Sequence, residues 1–265
     1  MLKKRVITAL CGIPLLIIVV WFDKPLPWFT IFIAFWSALA VYEFYGIVAA
    51  SKAPPLTYFG IIWTLFFIIS PHFEYGFLPL LIFASAVFLS PLLLKLRRRK
   101  EPFFASWLWS MAGILYVGWL LSYLVVLRIE VGSGWVFLAI FTVFCSDTAA
   151  YFVGRALGRH PLASRISPSK TWEGAIGGIL GSITASLILV NIFFLPLGFW
   201  EAVLLGLLVS IFGQTGDLLE SLFKRRMRIK ESGKLVPGHG GLLDRMDSVV
   251  FAGVVVYFYY IIVVL

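Results

Sequence analysis

The sequence predicts an all-α polytopic membrane protein of about nine transmembrane helices, with its N-terminus cytoplasmic and its C-terminus outside, and three observations predict it. Of 265 residues, 61% are hydrophobic and only 13% charged, with a mean hydropathy of +0.98; soluble domains are roughly half apolar and about a quarter charged. The apolar runs are continuous and do not alternate with polar residues. That pattern selects helices over barrel strands, because bilayer hydrocarbon offers no partner to an unpaired backbone N–H or C=O. The third observation is the placement of lysine and arginine, which tests the span count through the positive-inside rule.

With about twenty residues per span as a ruler, apolar segments fall at 6–22, 28–50, 57–70, 77–94, 103–127, 133–154, 173–196, 199–216 and 248–265. The first follows Lys3-Lys4-Arg5 as a signal peptide would, yet it contains Pro14 and lacks a small-residue cleavage site, so it is read as a span. The segment at 57–70 is short, and a tilted or re-entrant course stays open for it. Only Pro196, Leu197 and Gly198 divide 173–196 from 199–216. With the N-terminus inside, this count places twenty of the 22 lysines and arginines on the cytoplasmic side and only Lys24 and Arg128 outside. One extra or missing early span would scramble that partition. The chain divides into N-terminal helices, 1–105, and C-terminal helices, 106–265, the latter interrupted by a polar stretch at 217–247 read as a cytoplasmic loop with some helix.

The net charge of +9 is thus concentrated on one face, where it attracts anionic headgroups or nucleotide phosphates. Nucleic acid is not implied, since a basic membrane face has the simpler cause. Cys11 and Cys145 lie in apolar runs and read as small packing side chains. The tryptophans and tyrosines fit interfacial belts and helix packing.

Three stretches carry chemistry. Asp147 lies inside an apolar span, where an ionisable group faces a polar cavity or a partner and is a functional candidate by default; the alternative is a structural hydrogen bond through Ser146 or Thr148. Ser167-Pro168-Ser169-Lys170-Thr171-Trp172-Glu173-Gly174 precedes a helix with Gly174, Gly177, Gly178 and Gly181. Hydroxyls, helix-start N–H groups and a lysine can seat a phosphate there, or Thr171 can cap a helix with a small-residue packing face. The longest stretch is Gly213 to Arg225, continuing through Lys230 to Pro237-Gly238-His239-Gly240-Gly241-Leu242-Leu243-Asp244-Arg245-Met246-Asp247.

In that stretch Asp217 and Glu220 share a helical face, and Asp244 and Asp247 repeat the spacing at the entrance of the last span. Between them lie Lys224, Arg225, Arg226, Arg228, Lys230 and Lys234. Carboxylates beside cations suit nucleotidyl transfer, the acids holding Mg²⁺ against phosphate oxygens and the cations neutralising the triphosphate. Gly238, Gly240 and Gly241 let backbone approach an anion closely. A solvated charged loop obeying the positive-inside rule explains Arg226 and Arg228 equally well, but it gives Asp244 and Asp247 no reason to sit at an apolar entrance. His239 gains weight only from its glycine neighbours, and Glu43 stays open between a polar cavity and snorkelling.

This stretch resembles the signature of the phosphatidate cytidylyltransferase (CDP-diacylglycerol synthase) family: Ser221, Lys224-Arg225, Lys230-Glu231, then Pro237 to Asp247. Glu231 stands where the family usually has Asp. The resemblance extends to the Ser-Asp-Thr-Ala-Ala-Tyr around Asp147 and to Ser167–Gly174, and so covers roughly the C-terminal half. It implies condensation of CTP with phosphatidic acid to CDP-diacylglycerol and pyrophosphate, a Mg²⁺ requirement with a second cation left open, an α-helical fold, a homodimer, and a multi-pass place in the cell (inner) membrane with the active site facing the cytoplasm. Carried onto these residues, it makes Asp217 and Asp244 the metal carboxylates, with Asp147 and Asp247 next. Lys224 joins the catalytic set, while Ser167, Lys170, Thr171, Arg225, Lys230, His239, Gly240, Gly241 and Arg245 become candidates for holding triphosphate or lipid phosphate. Two rivals share parts of this pattern: a CTP-dependent polyprenol or phytol kinase, and a transporter whose path Asp147, Asp217 and Asp244 would line.

Overall fold

A computed structural model describes residues 2–22, 24–49, 53–74, 76–96, 102–233 and 240–265. The chain is an all-α polytopic membrane protein: among the described residues, seven helices are long and apolar enough to cross a bilayer, and Gly12–Trp21 and Thr57–His72 are shorter apolar helices. The segment at 57–70 is short because Pro54 and Pro55 precede it and Pro71 ends it, and proline lacks the N–H that a helix interior needs. The chain forms two compact units, one of Met1–Ile129 with Glu231–Asp244, the other of Glu130–Lys230 with Arg245–Leu265.

The first unit contains α1 (Leu2–Trp21), α2 (Trp28–Ala49), α3 (Thr57–Ile69), α4 (Leu78–Leu96), α5 (Phe103–Gly113) and α6 (Leu120–Val126). The last two belong to one continuous helix, Phe103–Val131, with wider π-helical turns at Ile114–Trp119 and Leu127–Val131. Tyr45 is its keystone: fully buried, it donates its hydroxyl to the carbonyl of Ser110 at 2.7 Å. Gly60 and Gly113 flank that ring, and a Cβ at Gly113 would come within 2.5 Å of it. A phenol in an apolar core needs such a partner, because an unpaired buried hydroxyl is costly.

The second unit contains α7 (Ser133–Leu157), a hairpin of β1 (Pro161–Ala163) and β2 (Ser167–Thr171), α8 (Trp172–Ile192), α9 (Phe199–Arg226) and α10 (Asp247–Tyr259). The small hairpin departs from a purely helical expectation; its strands pair with each other, Pro161 opposite Thr171. Small residues bring α8 close to α7: a Cβ at Gly181 would meet the Cβ of Ala149 at 2.5 Å and the carbonyl of Cys145 at 3.0 Å. Without a hydrophobic drive between helices in lipid, such backbone approach and interhelical hydrogen bonds hold the bundle. Accordingly Ser182 donates to the carbonyl of Gly206 at 2.6 Å and Ser186 to that of Ala202 at 2.8 Å. Ser146 and Ser210 pair at 2.8 Å.

Gly206 tests this account, because a Cβ there would lie 2.7 Å from Cα of Ile183 and 3.0 Å from its backbone N. Backbone cannot rotate aside as a side-chain end can, so Gly206→Ala must spread α8 from α9 at a cost of about 1–3 kcal/mol. Thermal denaturation in detergent reads this as a lowered midpoint; an unchanged midpoint would mean that the two helices are not locked.

Within the stretch 217–247, helix occupies the first ten residues. α9 runs unbroken through Asp217 to Arg226, 28 residues or about 42 Å at 1.5 Å per residue, against about 30 Å of hydrocarbon. It persists because Leu218, Leu219, Leu222 and Phe223 continue its apolar stripe at helical spacing. It ends where Met227 N–H bonds the carbonyl of Phe223 and Arg228 turns to φ +59°.

Candidate active site

In the second unit the distant motifs converge. Lys170, carried on β2, places its ammonium 2.6 Å from a carboxylate oxygen of Asp217 on α9, the two side chains being 24% and 32% exposed. The hairpin makes this reach possible by turning the chain back before α8, where Thr171 then serves as N-cap, its hydroxyl accepting from Gly174 N–H at 3.1 Å. Arg225, one helical face further along α9, donates to the carbonyl of Ile166 and tethers the same hairpin at 3.1 Å. Ser167 lies half-buried in β2. Thus two motifs about fifty residues apart in sequence share one ion pair.

Asp147 on α7 joins them. It is accessible although it sits within an apolar helix, and Asp217 repels it while Lys170 and Arg245 attract it. Asp247 opens α10, where the positive end of the helix favours a carboxylate, and its Oδ1 accepts from Ser248 N–H at 2.8 Å. Asp217, Glu220 and Asp147 all act on it electrostatically. Four carboxylates from three helices therefore share one field, offset by Lys170 and Arg245. Glu220 and Lys224 form a buried i,i+4 pair at 3.1 Å, their side chains 1% and 11% exposed. Lys230 is exposed at the unit's edge.

Asp244 belongs to the first unit. Its Oδ2 accepts from the backbone N–H of Ser232 and of Gly241, both at 3.0 Å, so the Gly241 N–H is engaged by a carboxylate of its own loop. Gly240 adopts φ +84°, the left-handed region open to glycine. His239 lies outside the described residues.

Among the described residues no three His, Cys, Asp or Glu side chains converge as a ready-made metal cage. The donor chemistry nonetheless fits a hard cation that takes oxygen ligands. Mg²⁺ is usually held by one or two carboxylates together with water and substrate phosphates, and Asp217, Asp147 and Asp247 supply oxygens of that kind. Sequence reasoning gave no role to two residues of this field, Glu220 and Ser248. Glu220 carried a readable signal, its spacing from Asp217 on one helical face; Ser248 carried none.

The sequence model of the Cytidylyltransferase family matches residues 3–263. A phosphatidate cytidylyltransferase of Brucella melitensis is 44% identical over 153 residues, which is 57% of this chain and 56% of the relative. One from Staphylococcus saprophyticus is 42% identical over 139 residues, 52% of this chain and 53% of the relative. A Staphylococcus epidermidis protein of the same name is 44% identical over 139 residues, with the same shares. The chain spans a little over half the length of these curated relatives.

Proposed function

The chain belongs to the cytidylyltransferase family, and from that premise we propose that it condenses CTP with phosphatidic acid to give CDP-diacylglycerol and pyrophosphate in phospholipid synthesis. The observation that carries the reading is the Lys170–Asp217 ion pair, which unites two signature segments beside Asp147 and Asp247. A lipid phosphate oxygen attacks the α-phosphorus of CTP, a new P–O bond forms, and the bond to the β-phosphate oxygen breaks as pyrophosphate leaves. The nucleophile is already an anion, so the principal task is to offset repulsion between two anions and to stabilise the leaving group.

Mg²⁺ when bound would supply positive charge that offsets the phosphates; Asp217 and Asp147 would hold it, and Asp244 carries the same assignment. Lys170 answers the charge of Asp217 and is placed to exchange that partner for a phosphate. Lys224, Arg225, Lys230, Arg245 and His239 are assigned to triphosphate or lipid phosphate, as are Ser167, Thr171, Gly240 and Gly241. Asp247 is assigned to the catalytic set with Asp217 and Asp244.

The finer topology belongs to the same reading. Among the described residues, seven long and two shorter apolar helices support nine spans, an odd number that sets the termini on opposite sides. The bias of basic residues supports an N-terminus and active site facing the cytoplasm in the cell's inner membrane, and the protein works as a homodimer.

The deciding experiment incubates the full chain in lipid with labelled CTP, phosphatidic acid and Mg²⁺. Labelled CDP-diacylglycerol with release of pyrophosphate is expected, and only when a divalent cation is present. Release of CDP instead would make the protein a CTP-dependent lipid kinase, and ion or lipid flux without CTP would make it a transporter.

A further inference from the structure

Glu43 has no part in the reaction described above, yet its surroundings are built around it. It lies on α2, is 6% exposed, and is the only acidic residue of that helix. A charged side chain within an apolar helix is expensive enough to need a reason. Its Oε2 accepts two hydrogen bonds, from the hydroxyl of Ser232 at 3.1 Å and from the backbone N–H of Leu243 at 3.0 Å. These donors stand at opposite ends of one segment, on either side of Gly233 and Gly240. Asp244 grips the same two ends through Ser232 N–H and Gly241 N–H. Two carboxylates thus hold Ser232 beside Gly241 and Leu243.

The fit leaves no slack. A Cβ at Gly241 would lie 2.6 Å from Oε2 of Glu43 and 2.6 Å from the backbone N of Gly233, and would also strike the hydroxyl of Ser232. Meanwhile Oε1 of Glu43 is buried and makes no hydrogen bond among the described residues. A carboxylate kept merely to solvate itself would divide its bonds between both oxygens. Here, among the described residues, one oxygen takes both bonds, from Ser232 and from Leu243.

We infer that Glu43 is a positioning residue that locks Ser232 and Leu243 together and thereby fixes the orientation of the Asp244 carboxylate. The consequence for metal use rests on the proposed cytidylyltransferase reading, in which Asp244 holds Mg²⁺; the latch itself does not. Partners that orient metal ligands commonly cost about 10- to 100-fold in metal affinity or activity when removed.

The test uses the full chain in lipid nanodiscs. Glu43→Ala is expected to speed backbone hydrogen exchange selectively in peptides spanning Ser232 and Leu243, and to raise the Mg²⁺ concentration for half-maximal synthesis about 10- to 100-fold, with kcat at saturating Mg²⁺ changing less. Glu43→Gln keeps an acceptor oxygen and should recover most of both effects. Ser232→Ala removes one of the two bonds without disturbing the helix and should produce a smaller selective increase in exchange. Wild-type exchange and Mg²⁺ dependence in Glu43→Ala would overturn the inference. So would a general loss of stability in Glu43→Ala accompanied by no selective change in Ser232→Ala. If the wild-type protein makes no CDP-diacylglycerol, the functional reading fails, and the exchange results still decide the latch.

Discussion

In the proposed reaction, Asp217→Asn is expected to lower CDP-diacylglycerol synthesis at least about 1000-fold while leaving the protein folded. Metal charge stabilisation of a transferring phosphoryl group is worth several kcal/mol, and each 1.36 kcal/mol is tenfold in rate. Asparagine preserves the shape of the side chain but not its charge, so both the proposed metal seat and the counter-ion of Lys170 are lost. Stability should move little, because the pair is partly exposed on both sides and such pairs contribute about 1 kcal/mol or less. Initial rates at saturating CTP, paired with a thermal melt in detergent, separate the two effects. Near-normal synthesis by the variant would sink the metal assignment.

Lys224→Met should show the opposite balance, with a large loss of stability. Its partner Glu220 is essentially inaccessible, and removing one member of a buried ion pair costs about 3–5 kcal/mol because the other charge stays desolvated. Replacing both members, as Lys224→Met with Glu220→Leu, should recover most of that stability. The double variant is also a functional test. If Lys224 holds phosphate, the restored protein remains inactive; if it serves only to neutralise Glu220, activity returns with the fold, and the catalytic assignment of Lys224 is wrong. Melting midpoints and synthesis rates of the two single variants and the double variant complete the cycle.

Some of this was legible in the residues themselves, and the boundary of legibility has physical causes. The helical spans could be read because lipid forces each backbone to satisfy itself locally, so hydropathy alone reports them. The Asp217–Glu220 face could be read because period and spacing are properties of one helix. The end of α9 could not, since a hydropathy window measures the bilayer and not the helix, and the last ten residues of α9 continue past the apolar run. The β1–β2 hairpin was hidden for another reason: two short strands exist only by pairing with each other. The contact of Lys170 with Asp217 depends on that hairpin and on the close approach of α7 and α8, and neither is local. Glu43 differs again. Its place in an apolar helix was visible, but its partners Ser232 and Leu243 are about 190 and 200 residues away in sequence.

The unbroken course of α9 has a thermodynamic consequence for any ligand that meets it. Asp217, Glu220, Lys224 and Arg225 are spaced along one continuous rod, so their relative placement is decided when the chain folds. Fixing a flexible backbone costs about 1–2 kcal/mol per residue, and an anion arriving at this rod does not have to supply that ordering. In the proposed reaction, the affinity such a ligand gains can then go into distinguishing the pentacovalent geometry of transfer from the resting substrate, which is the discrimination that raises turnover.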